Sequence, residues 1–562
     1  MKRGKTVILL MTVLLTFAVL FFGIEELCQQ NVPFCVEIDS EGGTETIQCV
    51  ERGGRRYVFF PGYARIDQAR FRTNFLCNVY INGQKVSENA NCADFPLDTK
   101  MEMQTLSMNQ ENWETVIFLQ SAYVPTMYID VASGNMDHIH AQKGNEESGT
   151  MRLYAADGTL MHASAVESLK GRGNATWEWC EKKPYSLCLS EEADLLGMGS
   201  ANNWVLLANA YDVSNIRNKI AYDLARDAGM LYTPQCQWVD VYLNGSYAGL
   251  YLLSERNEIH PERVDIPADT SFLVSWELES RMISQGYPYV ITERGRALRI
   301  RHSAFSLSKV QQMWQSVENA ICAEDDIDPV TGKHWRELID LDSWAMLFLL
   351  DEISGDYDGG GNSKFFYYNE SDGSGKIYAG PMWDKDVTFS GKYWPVKSPS
   401  GLAATRWPGQ MFTLLAEKEE FSHRVAELYQ TVFLPLLKKV MDTGIDDYTQ
   451  QIARAAYVNA ARWELDDPEE ASRSVADYLR EHTEILEDYW CKQEAFCKVL
   501  VYDVYTEIAG SFLIRPGDCL PELPWYEGCG YYLEGTDILF DVSQPIWEDA
   551  MILVDEAAAH GS

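Results

Sequence analysis

Positive charge is scarce in this chain: 47 lysines and arginines stand against 83 aspartates and glutamates, a formal net charge of −36. General binding to nucleic acid or to an anionic membrane surface needs the opposite balance, so both are excluded. An anionic small ligand such as a nucleotide then requires a locally basic pocket. Histidine is also scarce, with 9 residues, none at zinc-ligand spacing, and no Cys-x-x-Cys occurs. A zinc centre is therefore not expected. Fixed-period repeats and low-complexity tracts are absent, which argues against solenoids.

What is present indicates a folded protein. Hydrophobic residues make up 46% and aromatics 12% of the 562 residues. That length predicts two to four domains. Lys2, Arg3 and Lys5 precede an almost wholly apolar run of 18 residues from Val7 to Ile24. Residues 1–30 are read as an export signal, either cleaved or kept as a membrane anchor with the N-terminus inside. No small-x-small cleavage site follows it and no lipid-attachment pattern precedes Cys28. Membrane contact is expected through this segment only, with the rest at the cell surface or secreted. Export would favour disulfides among the sequence-close pairs Cys35–Cys49, Cys77–Cys92, Cys180–Cys188, Cys491–Cys497 and Cys519–Cys529, although spacing does not fix connectivity.

The chain reads as α+β. Residues 31–125 carry short alternating runs and an Asn82-Gly83 turn, predicting a small β-sandwich-like domain. Residues 126–497 mix strands, including a hairpin at Asn244-Gly245, with helices. The stretch "VSNIRNKIAYDLARDAG" predicts a helix capped by Asp212 or Ser214 and ended by Gly229. Residues 305–355 and 418–490 also read as helical. Residues 498–562 return to short strands, a small β module with an acidic tail.

Five segments hold residues suited to chemistry. In "SLKGRGNATWEWCEKKPYSLCL", Lys170, Arg172, Lys182 and Lys183 outnumber Glu178 and Glu181, and Gly171 and Gly173 allow close backbone approach to a phosphate. The same pattern fits a hairpin with surface lysines. Glu255 ends an apolar strand, where it could pair with Lys183, meet a ligand amine, or be an edge charge. "DEISGDYDGGGN" and "GPMWDKD" bring Asp356, Asp358, Asn362, Asp384 and Asp386. Paired carboxylates on neighbouring loops suit a Mg²⁺ ion and an acceptor hydroxyl in phosphoryl transfer. They also suit a glycosidase, or are solvated turn residues. A calcium loop is disfavoured because Gly360 occupies an acidic position. In "TERGRALRIRH", Arg299 and Arg301 share a strand face, either to meet phosphate or as ordinary surface charge.

Taken in order, "KGRGNATWEWCEKKPYSLCL", "LLGMGSANNWVLLANAYDVSNIRNKIAYDLARDAG", "VDVYLNGSYAGLYLLSERNEI", "LDSWAMLFLLDEISGDYDGGGNSKFFYY" and "KIYAGPMWDKDVTFSG" resemble the CotH family of kinase-like spore-coat proteins. The resemblance implies an atypical protein-kinase-like fold. It also implies Mg²⁺-dependent transfer of the ATP γ-phosphate to hydroxyls of a Ser-rich protein. By the same resemblance, Lys183 and Arg172 serve the nucleotide phosphates, with Glu255 and Asn362 near the nucleotide. Asp358 acts on the acceptor hydroxyl, Asp384 and Asp386 hold metal, and Arg217 and Asn218 brace the site. Two positions depart from the family pattern. Lys385 replaces a large apolar residue, and Asp356 stands where many relatives have Asn. A buried Lys385 would be costly unless paired. Both departures, with the export signal, suit an alternative: a non-catalytic surface-binding or structural protein on the same scaffold.

Overall fold

The computed structural model describes residues 33–74, 77–107, 110–356, 362–389, 411–503, 508–521, 529–536 and 538–555. The 1–30 segment and Asp358 lie outside them. Among the described residues, no helix is long and apolar enough to cross a membrane.

Between residues 34 and 120, two sheets share one core. One is three-stranded; the other has six strands, with Arg55–Phe60 parallel to Gln110–Gln120. Asn82 and Gly83 both take positive φ, 49° and 76°, the geometry of a two-residue hairpin turn. The core of this unit continues into strands beyond residue 125. Tyr128, Tyr154, Tyr242 and Tyr247 belong to the same buried cluster, and the Tyr242 hydroxyl donates to Phe59 O at 3.0 Å. Arg152 adds an ion pair to the buried Glu45 at 2.6 Å.

The next unit is a closed seven-stranded barrel, which sequence reading did not foresee. Its strands are Thr126–Val131, Glu146–Tyr154, Leu160–Gly171, Tyr185–Asp194, Ser200–Leu207, Ser246–Glu255 and Cys236–Leu243. All neighbours are antiparallel except the closing pair, where Thr126–Val131 runs parallel to Cys236–Leu243. Closure buries apolar residues inside the barrel as one core. The helix Arg217–Asp227 follows the fifth barrel strand. The Asp212 carboxylate accepts from Arg217 N at 2.9 Å, and Gly229, at φ 92°, turns the chain away.

A five-stranded antiparallel sheet comes next, ordered Tyr289–Ile291, Ala297–Ser303, Ser271–Trp276, Phe365–Asn369, Ile377–Ala379. The helices Leu307–Cys322 and Leu341–Ser354 pack on it with Trp276, Trp314, Trp344 and Phe366 in mutual ring contact. Asp340 caps the second helix by accepting from Ser343 N at 2.9 Å, and Gly355 ends it in the left-handed region. Further helices succeed these, including Glu419–Leu428, Ile445–Trp463 and Pro468–Trp490. Ile445–Trp463 reaches back to the barrel, where Asn459 Oδ1 accepts from Leu250 N at 3.1 Å. A four-stranded sheet with its own small core closes the chain. The architecture is α+β.

The disulfide expectation is not met: the twelve described cysteines form no disulfide among themselves. Cys180 ends a short helix near Tyr211, whereas Cys188 Sγ donates to Glu167. Cys35 pairs in register with Gln48, leaving Cys49 beyond the strand end in the core, where burial pushes its thiol up to about 12.

His482, on Pro468–Trp490, is buried and its Nε2–H donates to Glu352 O at 2.7 Å. Burial lowers its pKa to about 4. A depressed folded pKa contributes stability above the unfolded value, and that stability is lost as pH falls. Acidification from pH 6.5 to 4 is therefore expected to remove about 3 kcal/mol through this group. Urea midpoints of wild type and His482→Gln should differ in slope across that window, with the variant the flatter.

Candidate functional site

The "GRGN" turn follows the third barrel strand, Leu160–Gly171, and leads by the short helix Ala175–Trp179 to the fourth, Tyr185–Asp194. Gly171 is required by the protein itself, since a Cβ there would lie 2.2 Å from the Trp177 ring. Lys183 Nζ donates to Trp177 O at 2.5 Å and stands 5.5 Å from that ring's centroid, and its own carbonyl accepts from Tyr251. Lys182 points the other way. It is buried against Leu250 O at 2.5 Å, and burial lowers its pKa to about 7. Of the two adjacent lysines, only Lys183 keeps partial exposure.

Arg172 reaches the "PMWDKD" loop. Its guanidinium lies 5.4 Å from the Trp383 ring centroid, and it feels Asp384, Tyr222 and Asp386. Burial lowers its pKa despite those carboxylates. Cys180 senses both Asp386 and Lys183, which places Lys183 near the same group. Asp384 takes positive φ, 64°, and its Oδ2 accepts from Ser363 Oγ at 2.8 Å. Its backbone N donates to the Tyr222 hydroxyl at 3.2 Å, and Lys385 N donates to Asn218 Oδ1 at 2.8 Å. Asn218 thus braces this loop directly. Arg217 acts at one remove, through its 3.0 Å pair with buried Asp212, which orders the helix start.

Asn362 adjoins Ser363, and its Oδ1 is buried without a hydrogen-bond partner among the described residues. An unsatisfied buried carbonyl oxygen on the residue next to Ser363, which itself donates to Asp384, suits a hard cation. Among the described residues no group of three or more His, Cys, Asp or Glu is arranged for a metal. Mg²⁺ bound by one or two carboxylates plus substrate phosphate needs no such group. Asp384, Asp386 and Asn362 therefore fit Mg²⁺.

Of the alternatives open for Glu255, the structure shows neither the pair with Lys183 nor an exposed edge charge. Glu255 pairs with buried Arg263 at 2.9 Å and accepts from Gln235 N at 2.9 Å. It lines a separate cavity of about 330 Å³ with Arg226 and Tyr232. The physical reason is local: Gln235 N and Arg263 draw its carboxylate to their side, while neighbouring Arg256 lies just past the strand end. Arg256 is exposed and influences Arg172, Arg299 and Arg301. Arg301 is exposed, with Arg299 and Arg256 close enough to repel it and its Nε donating to Ser275 Oγ at 3.0 Å. Lys143 donates to Asn174 Oδ1 at 3.1 Å and to Gln285 Oε1 at 3.2 Å, tying the turn to the helix Glu279–Gln285. Burial, then Arg172 and Arg281, lower its pKa to about 8. Lys143 was missed in sequence because it belongs to no motif, and Arg256, although inside "VDVYLNGSYAGLYLLSERNEI", carries no signal of its own; only the fold brings them to one cluster. The result is a cluster of basic side chains inside an acidic molecule.

The family model described as CotH kinase protein matches residues 169–490, more than half of the chain. The chain belongs to the CotH family. The match contains the turn, both Asp loops and the bracing helix, while the first two barrel strands precede it. No curated protein matches this CotH chain.

The departure at Lys385 is resolved by geometry. Lys385 is buried, not turned outward, and pairs with Asp351 at 2.8 Å and with Asp356. Burial alone would lower its pKa, but the two carboxylates outweigh it and the net shift is upward. The two departures from the family pattern are each other's partners.

Proposed function

We propose that this CotH protein is an ATP- and Mg²⁺-dependent protein kinase with an atypical kinase-like fold. It transfers the γ-phosphate to Ser/Thr hydroxyls of a Ser-rich surface or spore-coat protein. The observation that carries the reading is the proximity of Arg172 to Asp384 and Asp386, within a cluster of basic side chains in a molecule of net charge −36. Arg172 and Lys183 would neutralise phosphate oxygens. Asp384, Asp386 and Asn362 would hold Mg²⁺, which when bound supplies charge neutralisation of the transferring phosphoryl group. Asp358 would accept the acceptor's hydroxyl proton; that role rests on the family resemblance. Export through the N-terminal segment belongs to the same proposal and would place the protein at the cell surface.

The test is transfer of labelled γ-phosphate by the full-length protein to a Ser-rich acceptor, with Mg²⁺ or Mn²⁺, alongside the ATP-induced shift in melting temperature. Lys183→Ala and Arg172→Ala are each expected to weaken apparent ATP affinity about tenfold or more, as loss of a charge-assisted contact to phosphate does. Neither label nor thermal shift from wild type would favour the non-catalytic binding alternative.

A further inference from the structure

Lys385 stands between Asp384 and Asp386, yet its side chain enters the protein and is 3% exposed. There it meets Asp351 and Asp356, while Lys364 takes the second oxygen of Asp351. The four charges are all buried and sum to zero. They come from three pieces of chain: the end of the helix Leu341–Ser354, the residue before the strand Phe365–Asn369, and the 381–389 loop. Well-packed apolar residues would serve stability as well as a buried ion cluster does, so the cluster is better explained by the register it imposes. The loop is gripped on two sides. Its backbone is held by Tyr222 and Asn218 of the helix Arg217–Asp227, and its lysine by Leu341–Ser354. The Asp384 carboxylate is left to face Ser363, within reach of Arg172.

We propose that the Lys385–Asp356 ion pair is a positioning device that joins the Asp384–Asp386 loop to the end of the helix Leu341–Ser354, so that the cleft carboxylates hold one fixed spacing. Its use in metal binding rests on the kinase reading proposed above; the coupling itself does not. Lys385 touches neither nucleotide nor metal in this scheme.

The experiment is a double-mutant cycle on the full-length protein: wild type, Lys385→Met, Asp356→Asn and the double variant. Mn²⁺ binding in the presence of ATP is read from the electron paramagnetic resonance of free Mn²⁺. Each single change is expected to weaken binding about tenfold, as loss of an outer-shell partner does. The double variant should be no worse than either single one, because one interaction is lost once. Hydrogen exchange at the Asp384 and Lys385 amides should rise in each single variant. Losses that multiply to about a hundredfold in the double variant, or Lys385→Met with unchanged exchange, overturn the proposal. Lys385→Arg keeps the charge and guards against simple misfolding. It should retain more Mn²⁺ binding than Lys385→Met, and binding as weak as in Lys385→Met counts against the device. If wild type binds neither Mn²⁺ nor ATP, the kinase reading fails, and the exchange data alone decide the coupling.

Discussion

Asp384→Asn is expected to lower γ-phosphate transfer by about a thousandfold, the scale of losing one preorganised charge at a phosphoryl-transfer centre. Stability should barely move. Asn keeps the side-chain oxygen that accepts from Ser363 Oγ, and it tolerates the positive φ of 64° almost as well as Asp. The substitution therefore removes charge and little else. Arg172 loses the first of the carboxylates that offset its burial, so ATP alone should still bind. The measurement is single-turnover transfer with Mg²⁺ titrated, run beside a thermal melt. A variant that keeps transfer within about threefold of wild type would remove Asp384 from the metal role. A variant that loses transfer and melting temperature together would report a structural residue instead.

The second large effect is on folding. Asp212→Ala is expected to destabilise the protein by about 3–5 kcal/mol, the range for leaving a buried charge without its partner. Asp212 is fully buried and accepts from Arg217 N at 2.9 Å, from Arg217 Nη1 at 3.0 Å and from Ser214. The Arg217 side chain is only 5% exposed, so water cannot replace the lost carboxylate. Loss of the contact to the first helical N–H adds about 1 kcal/mol. The double variant Asp212→Ala/Arg217→Met should recover part of the loss, because no unpaired charge remains. Denaturant midpoints for wild type, both single variants and the double variant measure this. The same variants should loosen the Asp384 loop, since Asn218 on that helix holds Lys385 N at 2.8 Å.

Some of this was readable in the sequence because it depends on neighbours in the chain. Asn82-Gly83 and Asn244-Gly245 form their turns, since Asn and Gly accept positive φ locally. The helix Arg217–Asp227 ends just before Gly229 as expected, but its N-cap is Ile216 and not Asp212 or Ser214, Asp212 reaching Arg217 N from five residues upstream. The ordered motifs sufficed for the family. The separation of Glu255 from Lys183 was not readable, because it depends on which way a strand end faces once the barrel has closed. Nor was the basic cluster of Lys143 and Arg256, whose members share no motif. Lys385 is the clearest case. In sequence it is a charge between two aspartates. Whether it is a defect depends on Asp351 and Asp356, which lie 34 and 29 residues away.

The sequence by itself determined the family, the α+β character, the acidic balance and the candidate carboxylates, since composition, motif order and local turn chemistry are properties of the chain. Only the tertiary structure decided which lysine is buried, which carboxylates meet Arg172 and how the two departures neutralise each other. Coulomb pairing and desolvation act between groups that only folding brings within a few ångströms.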